Sequence, residues 1–136
     1  MKTEKKHQMK QLRRWRIRNK LSGTKDRPRM SVCFTNENIH VQFIDDNAGV
    51  TLAAVSTTDK TVPDRDKLAA NVASARVIGK LAAEAAIAKG IKSVVFDRGG
   101  ARYHRSEGKG KDGKPVSVLG KLATLAEAAR KAGLKF

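Results

Sequence analysis

MSVCFTNENIHVQFIDDNAGVTLAAVS, residues 30–56, is three runs of β-forming residues separated by two turn signals. Residues 30–36 (MSVCFTN) and 39–45 (IHVQFID) are rich in β-branched and aromatic side chains, and Asn36-Glu37-Asn38 between them reads as a hairpin turn. Strict alternation sets Ile39, Val41 and Phe43 on one face and His40, Gln42 and Ile44 on the other, the pattern of a strand with one side against a core. Asp45-Asp46-Asn47-Ala48-Gly49 is a second turn, and residues 50–56 (VTLAAVS) form a third strand. The segment therefore predicts an antiparallel meander, entered at Pro28, whose ring fixes the backbone just before the first strand.

The period changes after Pro63-Asp64. Over residues 66–89, Leu68, Val72, Ala75, Ile78, Ala82 and Ala85 recur at helical spacing, and Gly90 follows as a C-cap. Residues 91–96 (IKSVVF) read as a buried strand broken by Asp97-Arg98-Gly99-Gly100. Residues 107–114 (EGKGKDGK) read as a flexible loop. A last amphipathic helix is expected from about Lys121 to Lys131, capped by Gly133. The order β-β-β-α-β-α predicts an α/β fold in which helices cover one or both faces of a small mixed or antiparallel sheet. Upstream, residues 1–21 lack Gly and Pro, and Met9, Leu12 and Trp15 share a helical face. That apolar stripe is too thin to hold a helix in water against its own charge. Residues 1–26 are thus expected to be a basic arm, partly helical or disordered when free and ordered on a partner; residues 27–136 are one domain.

Charge is unevenly distributed. Residues 1–29 hold twelve Lys/Arg against Glu4 and Asp26, and residues 98–136 hold ten against Glu107, Asp112 and Glu127. The middle, 30–97, has seven basic and eight acidic residues. Two cationic ends on a neutral core suit a polyanionic partner. Cys33 is the sole cysteine, which excludes an internal disulfide or a multi-cysteine zinc site, and its apolar neighbours make it a small core hydrophobe. No apolar run approaches the ~20 residues of a membrane helix, and no apolar segment follows the basic start. A soluble cytoplasmic protein is expected, with no membrane and no small-molecule substrate.

Two constellations carry binding chemistry. Arg13-Arg14-Trp15-Arg16-Ile17-Arg18, with Lys20, Arg27 and Arg29, joins phosphate-binding guanidinium groups to one indole. Trp15 either stacks on an unpaired base or tucks against the domain. The second is Arg98-Gly99-Gly100-Ala101-Arg102-Tyr103-His104-Arg105, followed by Lys109 and Lys111: the glycines would expose backbone N–H groups to a phosphate, and the rest offer phosphate, stacking and base contacts. The Gly-Lys-Ser/Thr ending of a phosphate-binding P-loop is missing. Asp45, Asp46 and Asp97 raise the alternative of a ribonuclease H-type, metal-dependent nuclease. Against it, no carboxylate lies between Met30 and Thr35; Asp45 and Asp46 serve equally as turn formers, and Asp97 as a cap or as a partner for Arg98 or Arg102. His7, His40 and His104 have no metal-ligand spacing, and no serine sits in a nucleophile elbow. No catalytic residue, metal or cofactor is expected; a general nucleic-acid-compacting protein is the other alternative.

Several strings resemble one family: Arg27-Pro28-Arg29-Met30-Ser31-Val32, the Ile44-Asp45-Asp46…Gly49-Val50-Thr51-Leu52-Ala53 segment, Val94-Val95-Phe96-Asp97-Arg98-Gly99-Gly100…Tyr103-His104, and Leu125 to the terminal Ala132-Gly133-Leu134-Lys135-Phe136. They resemble the bacterial large-subunit ribosomal protein L18 family. The resemblance implies a non-enzymatic, mixed α/β protein with a basic N-terminal extension. It further implies binding to 5S rRNA and a part in attaching that RNA to the large-subunit (23S-type) rRNA in the central protuberance, beside neighbouring 5S-binding ribosomal proteins. The family pattern has an Arg-Ser pair where this chain has Phe34-Thr35 and a tyrosine where it has His40, so contacts relying on those residues do not carry over. It also passes almost directly from Tyr-His to the last helix, whereas here residues 105–119 intervene. This inserted basic loop is expected to project and touch RNA or a neighbouring protein.

Overall fold

The meander forms with the expected alternation. In the structure, a computed structural model describing residues 2–136, β1 (Arg29–Phe34), β2 (Ile39–Asp45) and β3 (Val50–Ser56) pair antiparallel in sequence order. Thr35 closes the first hairpin by donating its N–H to the Asn38 carbonyl at 2.9 Å. A register shift between Phe43 and Ile44 marks a bulge near the second turn. Chain entering β4 (Val95–Asp97) lies parallel to β1, which completes a mixed sheet of order β3-β2-β1-β4.

Ile39, Val41 and Phe43 are fully buried, as are Met30 and, nearly, Val32. Against this face pack α2 (Val72–Ala88), through Ala75, Ile78, Ala82 and Ala86, and α3 (Lys121–Lys131), through Leu122, Leu125 and Ala129. The two helices approach closely because position 79 is glycine: a Cβ there would stand 2.4 Å from the Leu125 carbonyl oxygen. With aromatics scarce, alanine-lined helix contact supplies the dense packing that burial of apolar area rewards.

Four sequence expectations are corrected. The first domain helix begins at Val72 rather than residue 66, because the Asn71 side chain accepts the Ser74 N–H (2.8 Å) and starts the helix there; Arg65–Lys67 form a single 3-10 turn. The strand expected at 91–96 is confined to Val95–Asp97, and Ser93 makes only an isolated bridge to Lys135 near the C-terminus. Cys33 is half-buried on the face opposite the core, since alternation from buried Met30 and Val32 turns it outward. The expected flexible loop is a two-stranded ribbon, β5 (Arg105–Lys109) with β6 (Pro115–Leu119). Its Lys111-Asp112-Gly113 turn uses Gly113 at φ +72°, and Gly110 N–H donates to the Lys114 carbonyl at 2.8 Å. The element order thus gains a hairpin between β4 and α3, and a helix, α1 (Thr3–Arg18), before β1.

Candidate nucleic-acid interface

Arg29 organises the domain side of the interface. It is 7% exposed, and its guanidinium donates from Nε and Nη2 to the two carboxylate oxygens of Asp46 (2.9 Å each) and from Nη1 to Asp97 Oδ2 (2.8 Å). The bidentate fit explains why arginine, rather than lysine, stands here. Hydrogen bonding to Asp46 is the chief influence raising the Arg29 pKa above its ordinary value, and the same bond chiefly holds the Asp46 carboxyl below the usual carboxylate range. Asp97 is fully buried and accepts the Gly99 N–H at 2.8 Å through Oδ1. Asp46 also accepts the Gly23 N–H at 2.7 Å, while Gly23 O accepts the Asp46 N–H at 3.0 Å. Position 23 admits no side chain: a Cβ would lie 2.3 Å from the Ile44 carbonyl oxygen. One ionic cluster therefore joins the segment after α1, the start of β1, the β2–β3 turn and the end of β4.

Upon this cluster rests α1. No residue of α1 is buried and no side chain caps its N-terminus. Its arginines hold it instead: Arg13 Nε donates to Gly100 O (3.3 Å), Arg14 Nε donates to Gly99 O (3.1 Å), and Arg18 Nε stands 3.8 Å from Asp97. Gly99 and Gly100 have φ of +60° and +78°, and a Cβ on Gly100 would press the Lys10 carbonyl at 3.2 Å. Gly99 N–H already bonds Asp97 and Gly100 is buried; at close range Gly99 admits the Val32 carbonyl of β1 and Gly100 the backbone of α1.

Between α1 and the β1–β2 turn runs a groove of about 1040 Å³, bordered by Lys6, His7, Lys10, Arg14, Trp15 and Arg18 on one side and Cys33 to Asn36 on the other. Trp15 is 55% exposed, so it does not tuck against the domain. Arg16 and Lys20 are exposed, and Arg13 and Arg14 use one N–H each, which leaves most of each planar fork for a ligand. Arg27 is exposed, with a long Nε contact to Val94 O at 3.4 Å. Arg98, Arg102, Tyr103, His104, Arg105, Lys109 and Lys111 are all exposed. Arg29 alone among the candidate cations is withdrawn into the protein, where its guanidinium is engaged by its two aspartates.

Sequence reading passed over Lys6 and Lys10, which stand with His7 on the groove wall, and Arg130, which lies 4.5 Å over the Phe136 ring and donates to Tyr103 Oη at 3.3 Å. The aspartates are also accounted for. Asp45 accepts the N–H groups of Asn47 and Ala48 and so shapes its turn; Asp97 caps the turn after β4 by accepting the Gly99 N–H, and it pairs with Arg29 and, more distantly, Arg18 rather than with Arg98 or Arg102. Among the described residues no group of three or more His, Cys, Asp or Glu is placed to hold a metal ion, and no helix is long and apolar enough to cross a membrane.

Residues 4–109 match the family model described as "Ribosomal L18 of archaea, bacteria, mitoch. and chloroplast". The chain belongs to the ribosomal L18 family. That span runs from α1 through the whole sheet to the last residue of β5, so it takes in the arginine-rich helix, the Arg29 cluster and the Gly99-Gly100 contact together. L18 membership makes this a structural protein of the large ribosomal subunit, and ribosomal RNA its partner.

Proposed function

We propose that this L18 protein binds 5S rRNA and helps to attach it to the large-subunit rRNA in the central protuberance, beside neighbouring 5S-binding proteins. One observation carries the reading: α1 is docked on the Gly99-Gly100 loop by arginine Nε atoms, so the two basic ends of the chain form one cationic surface around an exposed tryptophan. Arg13, Arg14, Arg16, Arg18 and Lys20 would take phosphates from α1, with Arg27 beside them. Arg98, Arg102, His104 and Arg105 would take phosphates from the loop, and Tyr103 a base or ribose. Trp15, at the groove wall, would stack on an unpaired base, a contact worth about 1–3 kcal/mol. The neutral sheet and its helices supply rigidity, and the site performs no bond-making chemistry.

The test is competition binding. Labelled 5S rRNA held by the full chain is challenged with unlabelled 5S rRNA or with duplex DNA of equal length. Displacement by 5S rRNA at far lower concentration supports the reading. Equal displacement by both would make the chain a general nucleic-acid binder.

A further inference from the structure

The β5–β6 ribbon plays no part in the core. None of its residues is buried; at its base Gly120 N–H donates to the His104 carbonyl at 2.8 Å, and the end of β6 lies beside α3. Register places Ser106 opposite Val118 and Gly108 opposite Val116, giving one low, small-residue face. On that face Val116 and Val118 are 45% and 56% exposed. An isolated two-stranded hairpin with bare valines is marginal in water. Its turn carries Lys109, Lys111 and Lys114 against Asp112 alone, and its other acidic residue, Glu107, is engaged by Arg105 at 3.7 Å.

We propose that this ribbon is a second RNA-gripping element: the lysines of its turn clamp a phosphate backbone while the Ser106–Gly108–Val116–Val118 face lies against ribose. Charge decides for RNA over protein, because the cationic turn continues through Arg105 and Arg102 into the α1–loop surface with no unpaired acid between. A flat face also suits the wide, shallow minor groove of an RNA helix, where 2′-hydroxyls are accessible to short side chains such as Ser106. The proposal rests on the rRNA-binding reading above but not on α1.

The experiment compares the full chain with the triple variant Lys109→Gln, Lys111→Gln, Lys114→Gln, all at exposed positions. Affinity is measured against salt separately for 5S rRNA and for large-subunit rRNA. The log–log slope is expected to fall by about 2–3 on one of them, at ~0.7–0.9 per lost phosphate contact, and the RNA affected identifies which one the ribbon grips. Unchanged slopes on both RNAs overturn the proposal. Should the variant keep both slopes yet fail to enter large subunits, while Val116→Ser/Val118→Ser fails likewise, the ribbon's partner is a protein and the proposal is equally overturned. If the wild-type chain binds neither RNA, the 5S reading falls with it; if only the ribbon variant is silent, the 5S reading stands.

Discussion

Arg29 ties together segments that are remote in the chain: Asp46 lies 17 residues away and Asp97 lies 68. Removing one partner of a buried ion pair leaves the other charge uncompensated, so Arg29→Met should cost about 3–5 kcal/mol in a urea unfolding titration. Arg29→Lys should recover only part of this, because an ammonium group cannot bridge both oxygens of Asp46 while reaching Asp97. The Asp46 carboxyl, held low by Arg29, gives a pH signature. A depressed carboxylate contributes stability above its unfolded pKa and loses it as pH falls through the folded value. The melting-temperature gap between wild type and Asp46→Asn should therefore be full near neutrality, begin to narrow only as pH falls to the ordinary carboxylate value of 3.8, and close as pH falls through the lower folded value. A constant gap from pH 7 to pH 3 would contradict the ionic account. None of this network was legible in the sequence, where Arg29 sat in a run of cations and no local pattern announces a partner 68 residues off.

At the scale of the elements, α1 is lightly anchored, since it buries nothing and is held by arginine–carbonyl contacts. Amide exchange should be faster there than in the sheet in the free protein, and 5S rRNA should slow it. Gly100→Ala adds a Cβ at a left-handed position facing Lys10 O, so exchange in residues 3–18 should rise while the β2 amides keep their protection. Equal protection of α1 in both proteins would show that the glycine is not what seats it. Strands β1 to β3 were legible because a period of two is local and Ile39, Val41 and Phe43 announce it. The β5–β6 ribbon was not: Gly108, Gly110 and Gly113 with their lysines dominate the composition, and the alternation of Val116 and Val118 is too short to outweigh them.

For the molecule as a whole, the two basic ends, which the sequence keeps far apart, meet at the Gly99-Gly100 loop. Asp97 and Asp46 are already bound to Arg29, and Glu107 and Glu127 each engage a single arginine, so the cations left over keep the surface positive until a polyanion covers it. The charge segregation made the class of partner readable from sequence, and the L18 strings implied which RNA; the withdrawal of Arg29 and the closure of the glycine pair needed the fold. The most direct measurement is the salt dependence of 5S rRNA affinity for the full chain and for the chain lacking residues 1–22. The truncated domain should stay folded, because it keeps Gly23, Arg29 and the whole core. With about six phosphates neutralised, the full chain should give a log–log slope of magnitude ~4–5, and truncation should lower it by about 3 with a large loss of affinity. The same slope and affinity in both proteins would contradict the account.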